Sequence, residues 1–193
     1  MNCLAYADYT QGYPSTKIDA YDGWFDFVNP GKMLVSKQQF LLGGDSRPRN
    51  EIIMKLFRLL GASERQGGGG PLIIKTAINN DLRRPEIITD LEHTEIKVWN
   101  IDLAESYPEL NGDERNVFRL LVKDGKPLSV NSIKNTLRMT EYKVRKAVQV
   151  LEEKKMIVKI GNGAGTKYSI VLESTEFLTK LQMAMEVLKK HIQ

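Results

Sequence analysis

Ser129-Val130-Asn131-Ser132-Ile133-Lys134-Asn135-Thr136-Leu137, then Arg138-Met139-Thr140, then Glu141 to Lys155, is the stretch that decides how the C-terminal half folds. Ser129 or Asn131 suits the N-cap of a short helix with Val130, Ile133 and Leu137 turned inward. Thr140 suits the cap of a longer helix whose buried stripe is Val144, Ala147, Val148 and Leu151. Upstream, the breaker Asn111-Gly112-Asp113 opens another helix, with Val117, Phe118, Leu120 and Leu121 on one face and Gly125 as its C-cap. Downstream, Met156 to Ile160 reads as a strand, Gly161 to Gly165 as a turn, and Thr166 to Leu172 as the returning strand.

Helix, helix, turn, helix, strand, Gly-rich turn, strand is the order of a winged helix-turn-helix, in which the third helix enters the DNA major groove. On that expectation Thr140, Tyr142, Lys143, Arg145, Lys146 and Gln149 reach base edges, while Lys159 and Lys167 on the wing reach phosphate. Glu141, Glu152 and Glu153 lower the positive field on the same helix. Winged helices also serve as protein-interaction or dimerisation units, and that alternative stays open. A last helix, Ser174 to Ile192, carries Phe177, Leu178, Leu181, Ala184, Met185, Leu188 and Ile192 as one stripe. That stripe packs on its own domain or builds a homodimer.

Charge supports the division. Residues 1–110 hold 12 Lys and Arg against 15 Asp and Glu, a net −3; residues 111–193 hold 16 against 9, a net +7. A basic module suits a polyanion, and double-stranded DNA is the expected partner. The chain of 193 residues has 41% hydrophobic and 27% charged residues, enough for a packed core. One cysteine, Cys3, excludes an internal disulfide, and two histidines leave little for a metal cage. No apolar run suits a membrane span or a signal peptide, so the expected setting is cytoplasmic.

The N-terminal half mixes both periods. Ile18 and Ala20, then Asp22-Gly23, then Phe25 and Phe27 predict a hairpin ended by Asn29-Pro30-Gly31. Asn50 suits the cap of a helix over Glu51–Leu60 that Gly61 stops, and a helix from Leu72 to about Asn80 follows Gly67-Gly68-Gly69-Gly70-Pro71. Ile96, Val98, Ile101 and Leu103 alternate within a strand over residues 94–103. The whole is therefore an α+β chain, divided at residues 1–108 and 109–193. A run of bare glycines before a helix offers backbone N–H groups to phosphate, but no Gly-Lys-Ser/Thr follows, so it is not a P-loop; a flexible loop is the alternative.

Met1-Asn2-Cys3-Leu4-Ala5-Tyr6-Ala7-Asp8-Tyr9, Asn29-Pro30-Gly31, Ser46-Arg47-Pro48-Arg49-Asn50 and Glu64-Arg65-Gln66-Gly67-Gly68-Gly69 resemble the C-terminal region of the RecG-related helicase-like or transcriptional regulators. The resemblance spans about residues 1–105. It implies a partial GHKL-like (Bergerat-type) α/β sandwich, often followed by a winged helix and preceded by a Schlafen-type AlbA domain. It also implies ATP and Mg²⁺: Asn2 as the Mg²⁺-binding N-box asparagine, Asn29 and Gly31 near the adenine-reading segment, and Gly67 and Gly69 on the phosphate lid. Departures are Tyr6-Ala7 for the usual His-Arg, Lys32 for a second Gly, Gly70 for an apolar lid residue, and the lack of an acid ahead of the N-box asparagine. The expectation is a fragment of a longer protein with an eroded ATPase-like site, no catalytic residue of its own and, lacking a Walker A motif, no helicase activity. The functional reading is a DNA-binding transcriptional regulator; an ATP-binding GHKL-type module and a protein-interaction module are the alternatives.

Overall fold

Tyr21-Asp22-Gly23-Trp24 turns the first hairpin, with Gly23 at φ +99°, a value that L side chains rarely adopt. It joins β1 (Lys17–Tyr21) to β2 (Trp24–Pro30), and β2 pairs in turn with β4 (His93–Trp99), which pairs with β3 (Glu86–Thr89). In this computed structural model the resulting sheet has the order β1-β2-β4-β3, antiparallel throughout. The structure describes residues 1–12, 14–44, 46–61 and 67–192, without the side chains of Asn2, Ala164, Glu186, Lys190, His191 and Ile192.

Alternation along the strands puts Ile18, Phe27, Asn29, Thr94 and Ile96 on one face of that sheet. The helices of the same unit are α1 (Asn2–Tyr6), α2 (Lys37–Leu42), α3 (Glu51–Leu59), α4 (Gly69–Asn79) and α8 (Ser174–Ile192). Strand β3 and helix α2 go beyond the sequence expectation. Helix α2 is short but fully capped: Ser36 accepts from the Gln39 amide and the Gln39 side chain accepts from the Ser36 amide. Strand β4 ends at Trp99, earlier than its alternation suggested.

Helix α4 begins at Gly69, so the glycine run is part of its first turn rather than wholly a loop before it. The reason is close approach. A Cβ on Gly70 would stand 1.8 Å from the Phe40 carbonyl oxygen of α2, so only glycine lets α2 and α4 meet. Asn50 also departs from expectation. Its side chain does not cap α3; its Nδ2 donates instead to the carbonyls of Leu4, Ala5 and Ala7 (3.2, 3.3 and 2.8 Å), closing the C-terminal end of α1. Helix α3 buries only Met54, and Ile52, Leu56 and Leu59 of its apolar stripe face outward.

Residues 102–173 form the second unit, with α5 (Gly112–Asp124), α6 (Val130–Leu137), α7 (Glu141–Glu153), β5 (Ile157–Ile160) and β6 (Lys167–Ile170). Local signals settle its boundaries. Asn111 and Glu114 form a capping box, Ser129 and Thr140 each accept from the amide three residues on, and Gly125 ends α5 at φ +65°. Val117, Phe118, Leu121, Ile133, Val144, Ala147, Val148, Leu151 and Ile157 make its core. Leu128, between α5 and α6, bridges to Tyr168 of β6 and adds a rudimentary third strand to the β5–β6 hairpin.

The last helix groups with the first unit, not the second. Unit one comprises residues 1–101 and 174–193, so the stretch 102–173 is an insertion between β4 and α8. The physical reason is an ion pair within unit one. Arg84 Nη2 meets Glu176 Oε1 at 2.6 Å, with the two side chains only 17% and 10% exposed, and Lys180 adds a second contact at 3.2 Å. The buried side of α8 is Glu176 and Thr179, whereas Phe177, Leu181, Met185 and Leu188 of the expected stripe are exposed.

Candidate functional site

A cleft of about 380 Å³ lies inside unit one, between the sheet face and the helices. Phe27, Met33, Val35, Phe40, Met54 and Ile73 give it apolar walls, and Asn29, Lys32, Arg47 and Gly67 to Gly70 give it polar ones. Cys3 and Tyr6 of α1 close one side. Burial pushes the Cys3 thiol above its ordinary value, which keeps it protonated and a packing residue.

The wall is braced by one side chain. Arg49 Nη1 donates to the carbonyls of Lys32 (2.9 Å) and Tyr6 (3.4 Å), and its Nε lies 3.6 Å from Asp8. Asp8 is held below the usual carboxylate range, chiefly by the Thr10 hydroxyl and amide and then, against a small cost of burial, by Arg49. The Asp8 amide donates to Pro30, and Thr94 Oγ1 donates to the Gly31 carbonyl at 2.9 Å. Gly31 sits at φ +87° with no room for a Cβ against Asp8 and Arg49. The Ser46–Asn50 stretch is thus a clasp: the Ser46 hydroxyl hydrogen-bonds that of Tyr6, Arg49 holds the β2 exit, and Asn50 holds α1.

What the clasp leaves uncommitted is informative. The side chains of Lys32 and Arg47 are exposed at the cleft and form no ion pair or hydrogen bond among the described residues. The amide oxygen of Asn29 is buried and has no partner among the described residues. Helix α4 presents its N-terminal turn to the same cleft, capped by Gly68 and no side chain. Four of the expected nucleotide residues, Asn29, Gly31, Gly67 and Gly69, therefore meet in one cavity. Gly67 also has a structural duty, because a Cβ there would stand 2.4 Å from the Gly44 carbonyl oxygen. The side chain of Asn2, the expected Mg²⁺ ligand, lies outside the described residues, as do Glu64, Arg65 and Gln66 of the resemblance. Among the described residues no group of three His, Cys, Asp or Glu is placed to hold a metal ion. Sequence reasoning missed Arg47 and Lys32 as candidate site residues; Lys32 directly follows Gly31, and Arg47 stands within the Ser46–Asn50 stretch.

Residues 15–98 match the family model described as "Putative ATP-dependent DNA helicase recG C-terminal". This region is similar to a RecG-related, divergent ATPase-like domain. The match takes in Asn29, Gly31, Lys32, Arg47 and the glycine run, and begins after Asn2. Among solved structures, the DIP2311 protein from Corynebacterium diphtheriae is similar at 12% identity and a TM-score of 0.46, over 88% of this chain and 48% of that one. The chain thus spans about half the length of that protein. No curated protein matches this chain.

In unit two the expected DNA-contacting residues are divided between α7 with its cap and the β5–β6 hairpin, and not all are free. Arg145 forms a two-point pair with Glu141 (2.8 and 2.6 Å), Lys143 meets Asp113 at 3.1 Å, and Gln149 donates to Glu153 at 2.9 Å. Thr140 is engaged as the helix cap. Tyr142 is 74% exposed, and Lys146 on the helix and Lys159 and Lys167 on the hairpin are exposed without partners among the described residues. Residues 102–173 carry 13 Lys and Arg against 10 Asp and Glu, a net +3, lower than for residues 111–193 chiefly because this unit also takes in Asp102, Glu105 and Glu109. No helix among the described residues is long and apolar enough to cross a membrane.

Proposed function

We propose that unit one binds an adenine nucleotide in this cleft, as an ATP-binding module of the ATPase-like kind. The observation that carries the reading is the set of uncommitted groups in one cavity. Among the described residues Lys32 and Arg47 are two cations without partners, the α4 N-terminus offers bare N–H groups, and the buried Asn29 oxygen lacks a donor. Cations and helix N-terminal amides suit the phosphates; the apolar walls suit a base, and an unpaired acceptor suits its exocyclic amine. Mg²⁺ bound through Asn2 belongs to the same proposal and would neutralise the phosphates. Calorimetric titration of ATP into the intact chain tests the reading. Binding is expected, and Lys32→Ala and Arg47→Ala should each weaken it about 5- to 10-fold, the ~1–1.5 kcal/mol of one charged contact. Absence of binding at millimolar ATP, or binding indifferent to both substitutions, would overturn it.

For unit two we infer a winged helix that binds duplex DNA, which would make the whole chain a DNA-binding regulator. The Leu128–Tyr168 bridge favours this reading, because it supplies the third strand that a bare helix-hairpin lacks. The paired charges on α7 are exposed, worth ~0–1 kcal/mol each, so phosphate competes with their acidic partners. With Lys143, Lys146, Lys159 and Lys167 as phosphate contacts, log affinity should fall against log salt with a slope of about −3 to −4. A flat salt dependence would remove this assignment.

A further inference from the structure

β1 is an edge strand, and its free edge matches itself. In a two-residue hairpin the residues flanking the turn form a hydrogen-bonded pair, and such pairs alternate along the ladder. Tyr21, Asp19 and Lys17 therefore bond to β2, and the N–H and C=O groups of Thr16, Ile18 and Ala20 point away from the sheet. The parity agrees with the exit of β2, where the Pro30 carbonyl accepts from Asp8 on the β1 side and the Gly31 amide donates to Glu92 on the β4 side. No other strand of the described structure lies along this edge.

We propose that this edge is where two copies of the chain pair, antiparallel about a two-fold axis through Ile18. In that register Ile18 of each copy exchanges N–H···O bonds with Ile18 of the other, and Thr16 does so with Ala20 at both ends. The same register sets Lys17 opposite Asp19 of the second copy, twice, on one face of the joined sheet. On the other face it buries Ile18, 57% exposed in the single chain, against its mate. Shifting the register by one residue presents the bonding groups out of phase, and shifting it by two sets Lys17 against Lys17 or Asp19 against Asp19. Lysine on an edge strand normally repels an incoming strand; here Lys17 is neutralised by Asp19 at 2.6 Å, so the edge is left open. Ile18 also lines the cleft, so each copy adds an apolar wall beside its neighbour's site.

Sedimentation velocity of the intact chain over a broad micromolar range, with circular dichroism as the folding control, tests this. The wild-type chain should be a dimer. Ala20→Pro removes an outward N–H that the hairpin does not use, and Asp19→Lys sets lysine against lysine; each should raise the dissociation constant at least ~10-fold. The double reversal K17D/D19K restores opposite pairing and should restore the dimer. Leu181→Glu, on the exposed stripe of α8, should leave it intact. A monomeric wild-type chain, a dimer indifferent to Ala20→Pro, or a dimer lost only with Leu181→Glu would each overturn the proposal.

Discussion

Replacing Glu176 with Gln asks whether α8 is a structural part of the first unit. The Glu176 carboxylate is 10% exposed, its Arg84 partner 17% exposed, and Arg84 Nη1 is spent on the carbonyls of Ala77 and Leu82. Removing one member of a buried pair costs ~3–5 kcal/mol, since the other charge is stranded. Residual solvent contact and the carbonyl partners of Arg84 reduce this to ~2–3 kcal/mol, or ~6–12 °C in the midpoint of a unit this size. The double variant Arg84→Met with Glu176→Leu should recover most of that loss, because the two buried charges go together and the more exposed Lys180 can turn to solvent. Hydrogen exchange read by mass spectrometry locates the effect: peptides of α4 and α8 should lose protection and those of α5 to α7 should not. If Glu176→Gln leaves α4 unchanged, or unprotects α7 instead, the assignment of α8 to unit one is wrong.

Acid tests the same contact. Burial pushes the Glu176 carboxyl up, but Arg84 and Lys180 together pull it further down, so its folded value lies below 4.5. A carboxylate depressed on folding stabilises fully above its unfolded pKa of about 4.3 and loses that stabilisation as pH falls through the folded value. Urea midpoints of wild type and Glu176→Gln should differ most above the unfolded value and converge as pH falls through the depressed folded value. Gly70→Ala should destabilise unit one by ~2 kcal/mol or more, since the new methyl meets the Phe40 backbone, and should weaken ATP binding in the same preparation. Glu141→Gln frees Arg145 from its two-point pair, so fluorescence anisotropy should show duplex DNA binding tighten about 2- to 5-fold; weaker binding would mean that the pair holds α7 in its competent form.

Unit two was readable from the sequence because its determinants are local. Caps at Asn111, Ser129 and Thr140, a left-handed Gly125 and the Val144–Leu151 stripe all act within a few residues of themselves. Unit one was less so, because its determinants are distant. The demand for glycine at position 70 comes from Phe40, and the burial of Glu176 comes from Arg84. The most apolar line on α8, Phe177 through Leu188, drew attention away from Thr179, which is 1% exposed. Asn50 precedes its helix as a cap should, yet three carbonyls of α1 claim its side chain. The cleft residues Asn29, Gly31, Gly67 and Gly69 were found by family resemblance; Lys32 and Arg47 emerged only when the space between them was seen.

The insertion of residues 102–173 between β4 and α8 sets an order on biosynthesis. A ribosome delivers the complete inserted segment before it delivers Glu176, so the three-helix portion is free to finish folding while the cleft-bearing portion still waits for its final helix. Until that helix emerges, Arg84 lacks Glu176 and the nascent α2 and α4 have an open flank, the period in which a chaperone would find them.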